Sequence, residues 1–200
     1  EESSPTKMTM LAMMVGAVKR LIAMVKKLPA LKALHETDQL KLIRGCYLDI
    51  LIIRGAMAYD PKANAWKGPS PQSSYNIKLD AMNDGSHENM FHQSIRLYSM
   101  FKEEWRQNEC VMLLLGQLTL FDPRVDGLSA VNAVKAEHDK YAKCLKRLLF
   151  LSLQSNAHKA QMEYNCLLER LATVRRMNQG AMTIMKEHAD KMDPLLRELL

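Results

Sequence analysis

Arg54 closes the apolar run Leu48–Ile53, and Ile50 rather than a carboxylate stands four residues before it. A guanidinium in apolar surroundings needs a partner, because an unpaired buried charge is costly. Its fork matches a carboxylate in bidentate fashion, so Arg54 reads as a binder of an acidic group. Backbone carbonyls or ordered water are the other way to satisfy it. The remaining charges of interest are Lys26–Lys27 before Pro29, Asp38 with Gln39, Arg44, and Glu198 within the terminal leucine-rich LLRELL. All of this is recognition chemistry. The six histidines show no H-E-x-x-H spacing, and no nucleophile elbow or phosphate loop occurs, which excludes catalysis. The four cysteines (Cys46, Cys110, Cys144, Cys166) form no CxxC pair. That excludes a zinc-finger module and suggests reduced, intracellular thiols.

The elements that must position these groups read as helices. Length suits one domain with a sizeable core. Aromatics are 6%, while 15 Met suggest an adaptable interior, each Met being equally at home filling a core gap. The +6 charge is scattered and gives no direct reading of nucleic-acid binding. No segment reaches the roughly 18 uncharged apolar residues of a membrane span, and no secretory signal opens the chain. The Glu-Glu start reads as an excised fragment.

After a polar lead-in, residues 8–18 carry no charge and demand a helix covered all round, with its C-terminal half surfacing through Lys19, Arg20, Lys26 and Lys27. Pro29 breaks it, and Thr37–Asp38 is the expected start of the next helix, by side-chain capping. Pro61, Gly68, Pro69 and Pro71 end helical structure. Residues 65–67 and 75–79 are expected to pair as a hairpin, with Trp66 either anchoring it or facing a pocket. A helix is expected over 88–104, a core helix over 109–120, and long helices over 130–154 and 158–186, broken at Ser155–Ala157. Asp193–Pro194 start a last helix that is too short to stand alone in water and must dock.

The pattern V-K-K-L-P-A-L-x-x-L-x-x-x-D-Q-L-x-L-I-R, from Val25 to Arg44, resembles the signature of nuclear hormone receptor ligand-binding domains. Met24 replaces the usual aromatic. The loop Phe121–Leu128 and the segment LLERLATVRRMNQ also resemble family motifs, and LLRELL has the form of the activation helix. The chain is similar in particular to the vitamin D, ecdysone and pregnane-sensing group, including its nematode dafachronic-acid branch. The resemblance implies an all-α, three-layer antiparallel helical sandwich with one small β-hairpin, the family's first helix lying upstream and any DNA contact made by a domain outside this chain. It implies a sterol-like ligand rather than a cofactor, no metal, no membrane, and a nuclear location.

The resemblance also assigns residues. The ligand pocket would be lined by Met10, Met13, Met14, Ala17, Arg20, Arg54, Trp66, Met90, Gln93, Met177, Ala181 and Met185. Trp66 stands twelve residues after Arg54, as a pocket tryptophan does in vitamin D receptors. With Arg54 as the anchor, the preferred ligand is a sterol with an acidic tail. A groove for a coactivator's Leu-x-x-Leu-Leu helix would have Lys26 and Glu198 as its two clamps and Arg44 as its second basic position, with Val25, Leu40, Ile43, Leu195 and Leu199 as apolar surface. Such a helix carries partial positive charge at its start and negative charge at its end, so a carboxylate and an ammonium fix its register while leucine burial supplies most affinity. A retinoid X receptor-type heterodimer, or a homodimer, is expected through His158–Met177. Leu196–Leu200 is itself a Leu-x-x-Leu-Leu box, so self-docking into the groove without ligand is a further expectation. The competing reading is an orphan-type interaction module whose pocket is filled by side chains.

Overall fold

In the computed structural model the described residues are 5–63, 65–66, 77–78, 95–187, 190 and 192–200, with side chains of 5–13, 77–78, 180–181, 184–185 and 187 outside the description. Helix α1 (Pro5–Val25) begins with the preorganised φ of proline. Val18, Leu21 and Val25, spaced three and four apart, face the core at 4% exposure or less, while Lys19, Arg20 and Met24 face out. Residues Met14 to Ala17 are all half-buried. The complete cover expected of the uncharged half is therefore missing at this turn, which presents apolar surface to partly open space.

Leu28, extended as a residue before proline should be, ends this segment and α2 (Pro29–Lys32) follows. Helix α3 (Glu36–Ala58) starts two residues earlier than the sequence suggests, because His35 is its cap and Nδ1 accepts from the Thr37 N–H at 3.4 Å. Asp38 does not cap at all. It is fully buried and accepts from the backbone N–H groups of Ser129 (3.0 Å) and Ala130 (2.8 Å). Those two donors hold its carboxyl below the usual range.

Three short strands, β1 (Tyr59–Asp60), β2 (Ala65–Trp66) and β3 (Ile77–Lys78), form an antiparallel sheet in that order. The expected pairing of the second and third is present, with Trp66 opposite Ile77; β1 is an addition. The helix expected over 88–104 is divided: its described turns form α4 (95–100), and α5 (Glu103–Arg106) follows an extended Lys102. Helix α6 (Glu109–Leu120), capped by the Asn108 side chain, is a core helix as the sequence implied, although Leu113 remains exposed.

Helix α7 (Val131–Ser152) buries a narrow stripe of Val134, Leu145 and Leu149. It ends through Gln154 and Ser155 in left-handed conformation, φ 55° and 62°. Helix α8 (Ala157–Glu187) and α9 (Pro194–Glu198) complete the chain. Helix α3 packs on α1, α6 and α8, and α7 lies against α6 and α8. One core joins the end of α3 with α6, α7 and α8; a second joins α1, the start of α3, Phe121, Leu128 and the leucines of α9.

Candidate functional site

The C-terminal end of α9 meets the first half of α3. Asp193 caps α9 as expected, its carboxylate accepting from the Leu195 N–H at 2.9 Å. Leu196 is fully buried and Leu199 is 3% exposed, both within the cluster that holds Val18, Leu21 and Val25 of α1 and Ile43, Cys46, Tyr47 and Ile50 of α3. Burying leucines contributes about 2 kcal/mol each, which is what lets so short a helix persist. Arg44 Nε donates to the Glu198 carbonyl at 2.9 Å. That carbonyl belongs to the last turn, where orphan acceptors and the helix dipole favour a cation.

Around this docked helix the proposed clamp groups remain outside. Lys26 is exposed just beyond the last turn of α1, its N–H bonded to the Ile22 carbonyl at 3.0 Å, and Glu198 is exposed on α9. Leu40 is 44% exposed on α3, an unusual position for a leucine flanked by buried Asp38 and Leu42. Val25, Ile43 and Leu199 are buried beneath, and Leu195 is half-buried. The structure therefore gathers the expected groove residues on α1, α3 and α9. Arg44 makes one contact that the sequence did not indicate: exposed on α3, it directs Nε to the terminal helix.

The expected pocket residues are less uniform. Met14 and Ala17 line the half-open turn of α1, and the Nη1 of Arg20 lies 3.4 Å from where a Cβ on Gly16 would stand. Arg54 is exposed, not set in apolar surroundings. A position at the end of a buried run is not itself buried when the helix turns it outward, as α3 does here while keeping Ile53 and Ala56 inside. Trp66 packs edge-on to Tyr98, centroids 6.1 Å apart, and its buried Nε1 faces the Tyr98 hydroxyl. Met177 is half-buried on α8. Met90 and Gln93, and the side chains of Met10, Met13, Ala181 and Met185, lie outside the described residues.

A polar network that sequence reasoning missed braces α3 against α8. Asp49, 5% exposed, receives the Asn178 amide and lies 3.8 Å from Arg175 Nε, while Arg175 Nη1 also binds Asp122. Arg124 binds Asp122 through Nε and Nη2, both at 2.9 Å. Burial pushes the Asp49 carboxyl up, with the Asn178 bond only partly opposing it. Burial acts the same way on Asp122, yet the Arg124 and Arg175 donors outweigh it and hold that carboxyl at about 2. The only sequence signal was the motif containing Arg175 and Asn178, and it named no partner.

Residues 2–194 match the family described as the ligand-binding domain of nuclear hormone receptor. The chain belongs to that family. Its members are ligand-regulated transcription factors, not enzymes, and the helices described here form the family's helical sandwich with its small antiparallel sheet. The chain is similar to nuclear hormone receptor family member nhr-8 of Caenorhabditis elegans, 28% identical over 185 residues covering 92% of this chain and 33% of that protein. It is also similar to nuclear hormone receptor HR96 of Drosophila melanogaster, 25% identical over 98% of this chain and 27% of that protein. A vitamin D3 receptor of Xenopus laevis is 18% identical over 92% of this chain and 44% of its own length. These relatives fit the vitamin D and ecdysone-type group indicated by the sequence. The chain spans about a third of the first two relatives. Among the described residues no helix is long and apolar enough to cross a membrane, and no three His, Cys, Asp or Glu gather as metal ligands.

Proposed function

We propose that this domain senses a sterol bearing an acidic tail and, with α9 docked, receives the Leu-x-x-Leu-Leu helix of a coactivator, as part of a nuclear transcription factor. One observation carries the reading. Helix α9 is seated by Leu196 and Leu199 and tied by Arg44, while Lys26, Leu40 and Glu198 stay exposed around the same place. Exposed Leu40 supplies apolar surface for the incoming leucines, and Lys26 and Glu198 supply the opposite charges that the ends of a helix attract.

The ligand half rests on the half-open turn Met14–Ala17, which offers apolar surface to a hydrophobic guest. Arg20 and Arg54 are both exposed, and Arg20, whose Nη1 lies beside Gly16 on that turn, is the cation nearer to it for the acidic tail. Ligand favours the docked helix only by its differential affinity for that state. A dimer partner of the retinoid X receptor kind, or a second copy, meets the domain through His158–Met177 of α8, where Met162 is 54% exposed.

Fluorescence polarisation of a labelled Leu-x-x-Leu-Leu peptide tests the recruitment half. Reversing both Lys26→Glu and Glu198→Lys is expected to weaken binding at least about tenfold, the equivalent of about 1.4 kcal/mol. Unchanged affinity in that double variant sinks the reading. A thermal shift produced by a sterol acid, absent with its methyl ester and lost in Arg20→Ala, checks the ligand half.

A further inference from the structure

An open cleft of about 360 Å³ lies between α3 and α8, and the groove reading does not use it. Its charged lining is Arg44, Asp49, Arg175 and Lys186. Asp49 is buried, bonded by Asn178 and accompanied by Arg175, so its charge is already answered within the fold. Arg44 and Lys186 are exposed, and the Arg175 side chain is 28% exposed. Arg175 is already shared between Asp122 and Asp49, so the unanswered positive charge of the concavity comes from Arg44 and Lys186, with Asn178 and Thr183 also in its lining. Such a place suits a compact oxyanion with several acceptor oxygens, which multidentate Arg and Lys donors bind most strongly.

We propose that this cleft binds a phosphate group, free or as a phosphomonoester, and that its occupancy strengthens the docking of α9. The link is Arg44. Its Nε already holds the Glu198 carbonyl, and Arg44 is also one of the residues that line the cleft. An anion on the remaining Arg44 donors fixes the orientation in which Nε reaches α9, so less side-chain freedom is lost when the helix docks. Coupling is reciprocal: what tightens the anion on the docked state tightens docking by the same factor. This inference rests on the proposed role of α9 in completing the coactivator groove.

Two measurements at constant ionic strength test it. Phosphorus NMR titration with inorganic phosphate is expected to saturate for the wild-type domain and to be lost in Lys186→Glu. Leu-x-x-Leu-Leu peptide affinity is expected to tighten roughly fivefold with saturating phosphate in the wild type. In Lys186→Glu it is expected to stay at the phosphate-free value. Non-saturating binding, or equal binding by Lys186→Glu, overturns the site. Saturation with no change in peptide affinity overturns the coupling. Peptide failing to bind with or without phosphate, while NMR still saturates, overturns the groove reading and the coupling with it, and leaves the anion site standing. Flotation with phosphatidylcholine vesicles, with and without phosphatidic acid, identifies the source: retention only with phosphatidic acid marks a lipid headgroup, and none marks soluble phosphate.

Discussion

Two helix C-termini in this molecule are held by the same chemistry to different ends. At the end of α3, Arg106 is 4% exposed and donates Nη1 to the carbonyls of Ala56 (3.1 Å) and Tyr59, with its guanidinium 5.8 Å from the Tyr59 ring centroid. At the end of α9, Arg44 is exposed and donates a single Nε bond to Glu198. Both satisfy orphan carbonyls where the dipole favours a cation. The first cap is buried between α5 and the sheet and cannot let go without exposing a core. The second faces water, which replaces it at small cost. Burial thus separates a permanent joint from a reversible one, and the reversible one lies where a switch is needed.

Removing the permanent cap has the largest expected effect. Arg106→Ala removes the guanidinium that bridges the Ala56 and Tyr59 carbonyls, leaves the buried Ala56 carbonyl without that donor and opens space beside Tyr59. A loss of about 3 kcal/mol in unfolding free energy is expected by urea denaturation. A loss below about 1 kcal/mol would show that water reaches those carbonyls and that the contrast with Arg44 is one of degree.

Asp122 provides a second permanent joint, and pH reads it. Its folded carboxyl titrates at about 2, below its ordinary value of 3.8. A depressed carboxyl contributes stability that is fully present above the unfolded value and is lost as pH falls through the folded one. The contribution is therefore constant at neutral pH and declines between about 4 and 2. Asp122→Asn is expected to cost about 2 kcal/mol at pH 7 and to flatten that part of the stability profile. Asp49 works in the opposite sense, since burial raises its carboxyl and ionising it costs stability as pH rises. An unchanged acid limb in Asp122→Asn would assign the decline to other carboxylates.

How much of this was legible in the sequence depended on whether the deciding partner was near along the chain. The nearly uncharged run of α6, the pairing of β2 with β3 about a dozen residues on and the capping of α9 by Asp193 follow from the local sequence, and all three were readable. Asp38 misled because its local role as a cap lost to Ser129 and Ala130, about ninety residues away. The break at Lys102 carries no proline or glycine. Across it Phe101 and Trp105 are both buried, and Trp105 Nε1 donates to Glu163 on α8 at 2.8 Å. Arg54 was read as buried from its neighbours in sequence, but the face a helix presents is set by what packs on it. At the candidate site, the need of α9 to dock was legible from its length; the Arg44 bond, 154 residues distant, was not.

The reversible cap should give the smallest effect, and its signature is where the loss is felt. Arg44→Ala removes one exposed hydrogen bond, so global unfolding is expected to change by less than about 0.5 kcal/mol, as for surface substitutions elsewhere. Docking of α9 should weaken by about 1 kcal/mol, the usual net worth of such a bond. Peptide affinity, which needs the docked helix, then falls about fivefold where the undocked form dominates. Leu196→Ala separates the two contributions, because it removes buried surface from the same docking step without touching the cap. If Arg44→Ala cost as much global stability as Arg106→Ala, α9 would be an integral part of the core, and the difference between the two helix ends would not mark a switch.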